Sequence, residues 1–241
     1  MVFLALPLIA EPRQPIPEHD SFRWRPALLQ SGLFTLLEQG GRLAQRGTRD
    51  NLKGPFFKDY WKSVQGLSGR WDDGDTKICN YMAHPMQGAV AGYIQVQNDP
   101  KGMYLEFSRR PEYWKSRLKG LAWSAAYSTQ FELGPLGEAA IGNIGMIPGT
   151  MAMVDLIMTP AGGLGWQMGE DAVDRYVIRW IESRTDLRGV KLIARSMLNP
   201  CRSLANLLHF RYPWHRDTRN GINWPLRRRG PSGGSAPPAG Y

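Results

Sequence analysis

Cysteine is scarce in this chain of 241 residues: Cys79 and Cys201 are the only two. That is too few for a disulfide framework or a cysteine-based zinc site. Cys79 precedes an apolar segment and Cys201 opens a later one, so buried free thiols are favoured over a single bridge. Histidine is also sparse, with four in all. No His-Glu-x-x-His, Gly-x-Ser-x-Gly or phosphate-loop pattern occurs, so the familiar sequence signatures of zinc proteases, serine hydrolases and nucleotide hydrolases are missing. Acidic residues are outnumbered, 21 against 30 Lys and Arg, giving a formal charge of +9. Such a balance favours an anionic neighbour, either lipid headgroups or nucleic acid. No nucleic-acid-binding motif accompanies the charge, which leaves nucleic acid as the weaker partner.

Long uninterrupted apolar runs are missing as well. Ile78 to Asn98 carries no Lys, Arg, Asp or Glu, yet it holds Asn80, His84, Gln87, Gln95 and Gln97. A helix with that many amides is a poor one to face lipid on all sides. Ala139 to Val154 and Leu156 to Gly169 are short and broken by Gly and Pro. These segments fit a peripheral or partly inserted protein better than a polytopic one.

What is present is 42% hydrophobic residues and 18 prolines, the latter concentrated toward both ends. The pattern divides the chain into an apolar, Pro-rich arm over 1–26, a helical domain over 27–212 and a basic Pro/Gly-rich tail over 213–241. The first ten residues, MVFLALPLIA, resemble the rear half of a secretory signal but lack its basic n-region. Export is therefore an expectation rather than a reading of a complete signal. Helical spacing recurs from Ala27 to Arg46, Ile78 to Val96, Glu112 to Leu133, Leu164 to Glu182 and Leu187 to Tyr212, the last split at Asn199-Pro200. The expected fold is all-α, an irregular helical bundle whose helices are broken by Pro and Gly, with extended arms at both ends.

Ionisable and amide side chains sit inside the apolar segments. Asn80, His84 and Gly88 repeat at steps of four, as do Gly120, Ser124, Ser128 and Glu132, so each set shares one helix face. The second set is a narrow stripe of small residues ending in a carboxylate, and close helix contact along it would deliver Glu132 to a neighbour. Pro85 should mark a first turn or bend the helix beside His84. Asp155 precedes Thr159-Pro160, and Glu170 and Asp174 lie four apart. Burying any of these unpaired costs several kcal/mol, so mutual satisfaction is expected, in a polar cluster of Asn80, His84, Ser128, Glu132, Asp155 and Glu170. Glu138, in a Gly-Pro loop, and Asp174, with Arg175 and Arg179 nearby, rank below these.

The segments Asn80-Tyr81-Met82-Ala83-His84-Pro85, Glu132 and Asp155 to Thr159-Pro160 and Glu170 resemble a group of bacterial envelope proteins of unknown function, over about residues 72–182. The resemblance implies helical structure and an envelope location, periplasmic or membrane-peripheral, and no established reaction.

Three functions follow as expectations. The first is a membrane-peripheral scaffold or accessory protein whose polar cluster fixes helix packing. Its partner would be an anionic membrane surface or a membrane protein complex, met through Arg202, Arg211, Trp214, Arg216 and Arg219. The second is a metal-assisted hydrolase acting on phosphate or lipid-like ester substrates, with His84, Glu132, Asp155 and Glu170 as divalent metal ligands or acids and bases. The third is nonspecific nucleic-acid binding through the tail. With no catalytic motif, the sequence alone favours interaction over chemistry.

Overall fold

The structure is a computed structural model and describes residues 21–219 and 221–222. The signal-like segment and the end of the basic tail lie outside the described residues. The fold is all-α, as the periodicity predicts. Among the described residues the sole extended pairing is a lone bridge between Ser68 and Ala152.

Helix α4 (His84–Asn98) is the axis, and nearly every residue of it is buried. Four helices surround it: α1 (Trp24–Leu43), α5 (Pro111–Leu133), α7 (Gly163–Val173) and α10 (Pro200–Leu208). In this ring α5 and α10 lie between α1 and α7, which places α1 and α7 on different sides of the axis. Short helices α2 (Arg46–Asn51), α3 (Phe56–Gln65) and α6 (Met153–Ile157) close one end. Helices α8 (Arg179–Arg184) and α9 (Arg188–Met197) flank the other. Glycine permits the tightest approach. A Cβ on Gly88 would collide with the Thr159 carbonyl, so α4 can meet the Thr159 turn only there.

The ring is held by an apolar core of Phe34, Val90, Ile94, Phe131 and Leu208 and by buried charges. Arg117 on α5 is 0% exposed and needs a counter-ion where it lies. Asp171 on α7 supplies it, with Nε to Oδ2 at 2.6 Å. The same carboxylate accepts hydrogen bonds from Tyr113 at 2.9 Å, Tyr93 at 3.2 Å and Arg202 at 2.9 Å. Asp174, one turn on, receives Arg216 at 2.9 Å and Arg219 at 2.6 Å, with Arg202 at 3.6 Å. Burial alone would raise the Asp174 carboxyl, but these three guanidinium groups hold it well below the usual range. The network joins α5, α7, α10 and the chain beyond α10.

Two sequence expectations are corrected by this network. Asp174 takes its partners from Arg202, Arg216 and Arg219; the nearby Arg175 and Arg179 turn instead to the Phe107 carbonyl and to Glu106. The segment 213–219, assigned above to a loose tail, is folded onto the bundle. There Asn206 donates to the Pro213 carbonyl at 2.8 Å, and Arg216, 2% exposed, donates to the Arg195 carbonyl at 2.8 Å. The helical domain also starts earlier than residue 27, at Trp24. Both cysteines are free.

Replacing Arg117 with Met leaves Asp171 without its closest cation, and the expected loss is about 3–5 kcal/mol, read as a lowered urea midpoint. A midpoint near wild type would show that the network is ornamental. Because the Asp174 carboxyl is held low, its stabilisation is complete above the ordinary aspartate value of 3.8 and is lost as pH falls below it. Acid titration of Asp174→Asn should therefore show a shallower loss than wild type.

Candidate metal centre

At the opposite end from this network, three side chains from three helices converge. His84 opens α4, Glu132 closes α5 and Asp155 sits in α6. One potential ligand atom from each lies within 4.8 Å of the other two. Local backbone explains the convergence. A π turn, Cys79–Ala83, runs directly into His84, and a second, Met158–Gly162, follows α6. Such wider turns re-aim side chains within a helix and recur at functional sites. Pro85 lies within continuous helix, because the π turn precedes α4 without a break, and its missing N–H leaves one carbonyl of that turn without its helical partner.

The stripe on α5 does what its spacing predicts. Gly120 lets α5 approach Gly92 of α4. Ser124 and Ser128 donate to the carbonyls of Thr159 and Asp155, at 3.5 and 3.3 Å. Glu132 is then delivered to the cluster, 5% exposed, with Oε1 lacking any hydrogen-bond partner.

His84 Nδ1 lies 3.2 Å from Thr159 Oγ1, and Nε2 lies 3.1 Å from Asp155 Oδ1. Burial lowers the His84 value, so the imidazole is neutral at neutral pH. With Nδ1–H given to Thr159, the Nε2 lone pair faces the Asp155 carboxyl. That accords with Oδ1 having no aligned hydrogen bond despite the short separation. Two lone pairs at that distance need a proton or a cation between them.

The surroundings add more negative charge than positive. Burial, followed by Asp73 and Asp75, pushes Asp155 from 3.8 up to about 8. Glu132 is raised well above its usual range by burial and then by Asp155 and Glu138. Asp73 behaves differently: burial works against its charged form, but hydrogen bonds from Asn80 and from the Asp75 backbone hold it low. Asn80 Nδ2 donates to Asp73 Oδ1 at 2.8 Å. Farther out, Glu138 is met by Arg42 and by Gln39 Nε2 at 3.1 Å. Glu38, pushed up to about 7 by burial, accepts from the Tyr127 hydroxyl at 2.6 Å.

The sequence-derived set therefore divides. Asn80, His84, Ser128, Glu132 and Asp155 come together; Glu170 does not. Its carboxylate accepts the backbone N–H groups of Cys201 at 2.9 Å and Arg202 at 3.0 Å, capping the first turn of α10. It cancels exposed N–H dipoles there and cannot reach the cluster as a ligand. Asp73, Asp75, Glu38, Arg42 and Thr159 were not singled out as site residues. The run Asp72-Asp73-Gly74-Asp75 reads in sequence as a turn, which it is, with the Gly74 and Asp75 N–H groups bonded to Asp72 and Asp73. Its second role depends on where the loop folds. The anion surface expected from Arg202, Arg211, Trp214, Arg216 and Arg219 is also corrected. Arg202, Arg216 and Arg219 are spent on Asp171 and Asp174, Arg211 pairs with Asp217 at 2.9 Å, and Trp214 stacks on Tyr212.

Comparison with protein-family models, curated proteins and solved structures finds no match. The geometry stands alone as the ground for function.

A carboxyl raised by its surroundings adds stability only while it can hold its proton. Asp155 therefore contributes fully below about 4, and its contribution is lost as pH rises through about 8. Thermal melts in a chelating buffer should show wild type losing stability from pH 5 to pH 8, and Asp155→Asn losing less and melting higher at pH 8. A variant that melts lower than wild type at pH 8 would contradict this account of the cluster.

Proposed function

We propose that this chain binds a divalent cation through His84, Glu132 and Asp155, and that the centre serves metal-assisted hydrolysis of phosphate or carboxylic esters. The single observation that supports this most strongly is Glu132, whose Oε1 is buried without a partner and which offers a carboxylate oxygen within 4.8 Å of ligand atoms on His84 and Asp155. One nitrogen and two carboxylate oxygens suit a hard or borderline ion such as Mn2+ or Zn2+. Such an ion, when bound, would supply Lewis-acid polarisation and an activated water.

The protein's own residues have definable parts in this reading. Thr159 fixes the imidazole tautomer, as outer partners of ligating histidines do. Asp73, tied down by Asn80, stands behind Asp155 and keeps the centre anionic once Asp155 gives up its proton. The expected envelope location fits lipid-like substrates.

A second reading has its own support. Ser128, Ser124 and His84 each bond the 155–159 segment, so the cluster also fixes the register of α4 and α5 against α6. In that reading the polar cluster is a lock and the chain a scaffold.

Calorimetric titration of the chelator-stripped protein with Mn2+ or Zn2+ separates the two. One equivalent should bind, with affinity falling at least about tenfold, or about 1.4 kcal/mol, in His84→Ala and in Glu132→Gln but not in Glu170→Gln. Turnover of chromogenic phosphodiesters and esters should follow metal loading. Absence of binding, or equal losses in Glu170→Gln, would leave the lock reading.

A further inference from the structure

Helix α1 is built inside out. Its inward face carries Gln30, Thr35 and Gln39 beside Ala27 and Phe34, all buried, while Leu28, Leu29, Leu36 and Leu37 point outward, Leu29 at 70% exposure. On α5 the inward face sets Ser116, Arg117, Ser124, Ser128 and Glu132 beside Tyr113, Tyr127 and Phe131, and the outward face carries Trp114, Leu118, Ala122 and Ala126 together with Lys115, Lys119, Thr129 and Gln130. From α7 into α8 the pattern repeats, with Gln167, Glu170, Asp171 and Asp174 inward and Tyr176, Val177 and Trp180 outward. A water-facing helix shows the reverse arrangement.

We propose that the outward faces of α1, α5 and α7–α8 are seated in the acyl region of an anionic lipid bilayer, with Trp24, Trp114, Tyr176 and Trp180 at headgroup depth. The four aromatic residues belong to helix segments at one end of the bundle, the Trp24 ring packing on Phe22 and Trp123 and Trp180 following Arg179, which pairs with Glu106. The start of α1 is tied to the end of α4 by Arg23 N–H to the Asn98 carbonyl at 3.0 Å. Tyr113, beside Trp114, bonds Asp171 near the end of α7, and Phe107 touches the rings of both Tyr113 and Tyr176. All four are at least 40% exposed. Arg25, Arg109, Arg110 and Lys115 are exposed at this same end. Aromatic rings beside basic groups at one level match the water–lipid boundary of an anionic leaflet.

Lipid fits these faces better than a protein partner. A standard protein interface covers one patch of about 800 Å2 on each partner, whereas α1 and α7 lie on different sides of α4. A fluid apolar medium can cover both. No helix among the described residues is long and apolar enough to cross a membrane. Mean hydropathy along a helix such as α1 mixes the inward amides with the outward leucines, so it does not describe the outward strip. Between Arg25 and Arg46 the outward face of α1 bears no charge; Glu38 is turned onto Tyr127 and Arg42 onto Glu138. The surface rests on no feature of the cation site.

The test is flotation of the full chain with phosphatidylcholine vesicles, with and without phosphatidylglycerol, together with quenching of tryptophan by brominated acyl chains. Wild type should float with the anionic vesicles and be quenched. The triple variant Leu29→Gln, Leu36→Gln, Leu37→Gln should keep its circular dichroism, since all three point outward, and partition at least about tenfold more weakly. Wild type that stays unbound, or a triple variant that floats equally, overturns the proposal. So does lipid-free self-association abolished by the triple variant, which would assign the strip to a second copy. Asp155→Asn should float as wild type does, so failure of the cation site and failure of this surface are separable.

Discussion

Arg117 lies at the middle of the constraint on this molecule. A guanidinium with no exposed surface must meet its counter-ion inside the fold, and Asp171 meets it together with two tyrosine hydroxyls and a second arginine. Once α5 and α7 are fixed through that carboxylate, α10 follows through Arg202, and the last folded residues follow through Arg216 and Arg219 on Asp174. Beside an apolar core of Phe34, Val90, Ile94, Phe131 and Leu208, these helices turn amides, hydroxyls and charges inward. Many of their large apolar residues face out.

The two ends of the bundle treat buried carboxylates in opposite ways. Asp171 and Asp174 are surrounded by four arginines, which leaves little chemistry for them to do. Glu132 and Asp155 have instead a neutral imidazole and further acids nearby, with Arg42 reaching Glu138 rather than either of them. Both ends are buried, so burial does not separate them; the supply of cations does. An end whose carboxyls are raised by burial gives up stability as pH rises.

The helices were legible in sequence because the spacing of apolar and small residues is a local property. So was the face that carries Gly120, Ser124, Ser128 and Glu132, since a step of four is fixed by helix geometry alone. The grouping of Asn80, His84, Glu132 and Asp155 was expected instead from the cost of burying polar groups unpaired, since spacing within one helix says nothing of where separate segments meet. Glu170 misled because a carboxylate one turn from Asp174 gives no sign that its partner is the start of a later helix. The arginines after residue 200 misled similarly: their charge is visible in sequence, but the direction in which each side chain turns depends on Asp171 and Asp174, some thirty to forty-five residues earlier.

X-ray absorption at the zinc edge of the zinc-loaded protein tests the central claim most directly, because it reports the ligands rather than the affinity. One equivalent of zinc should be bound by a single imidazole nitrogen and carboxylate oxygens at about 2.0–2.2 Å, with the imidazole contribution lost in His84→Ala. A first shell containing sulfur, or a spectrum unchanged by His84→Ala, would contradict it.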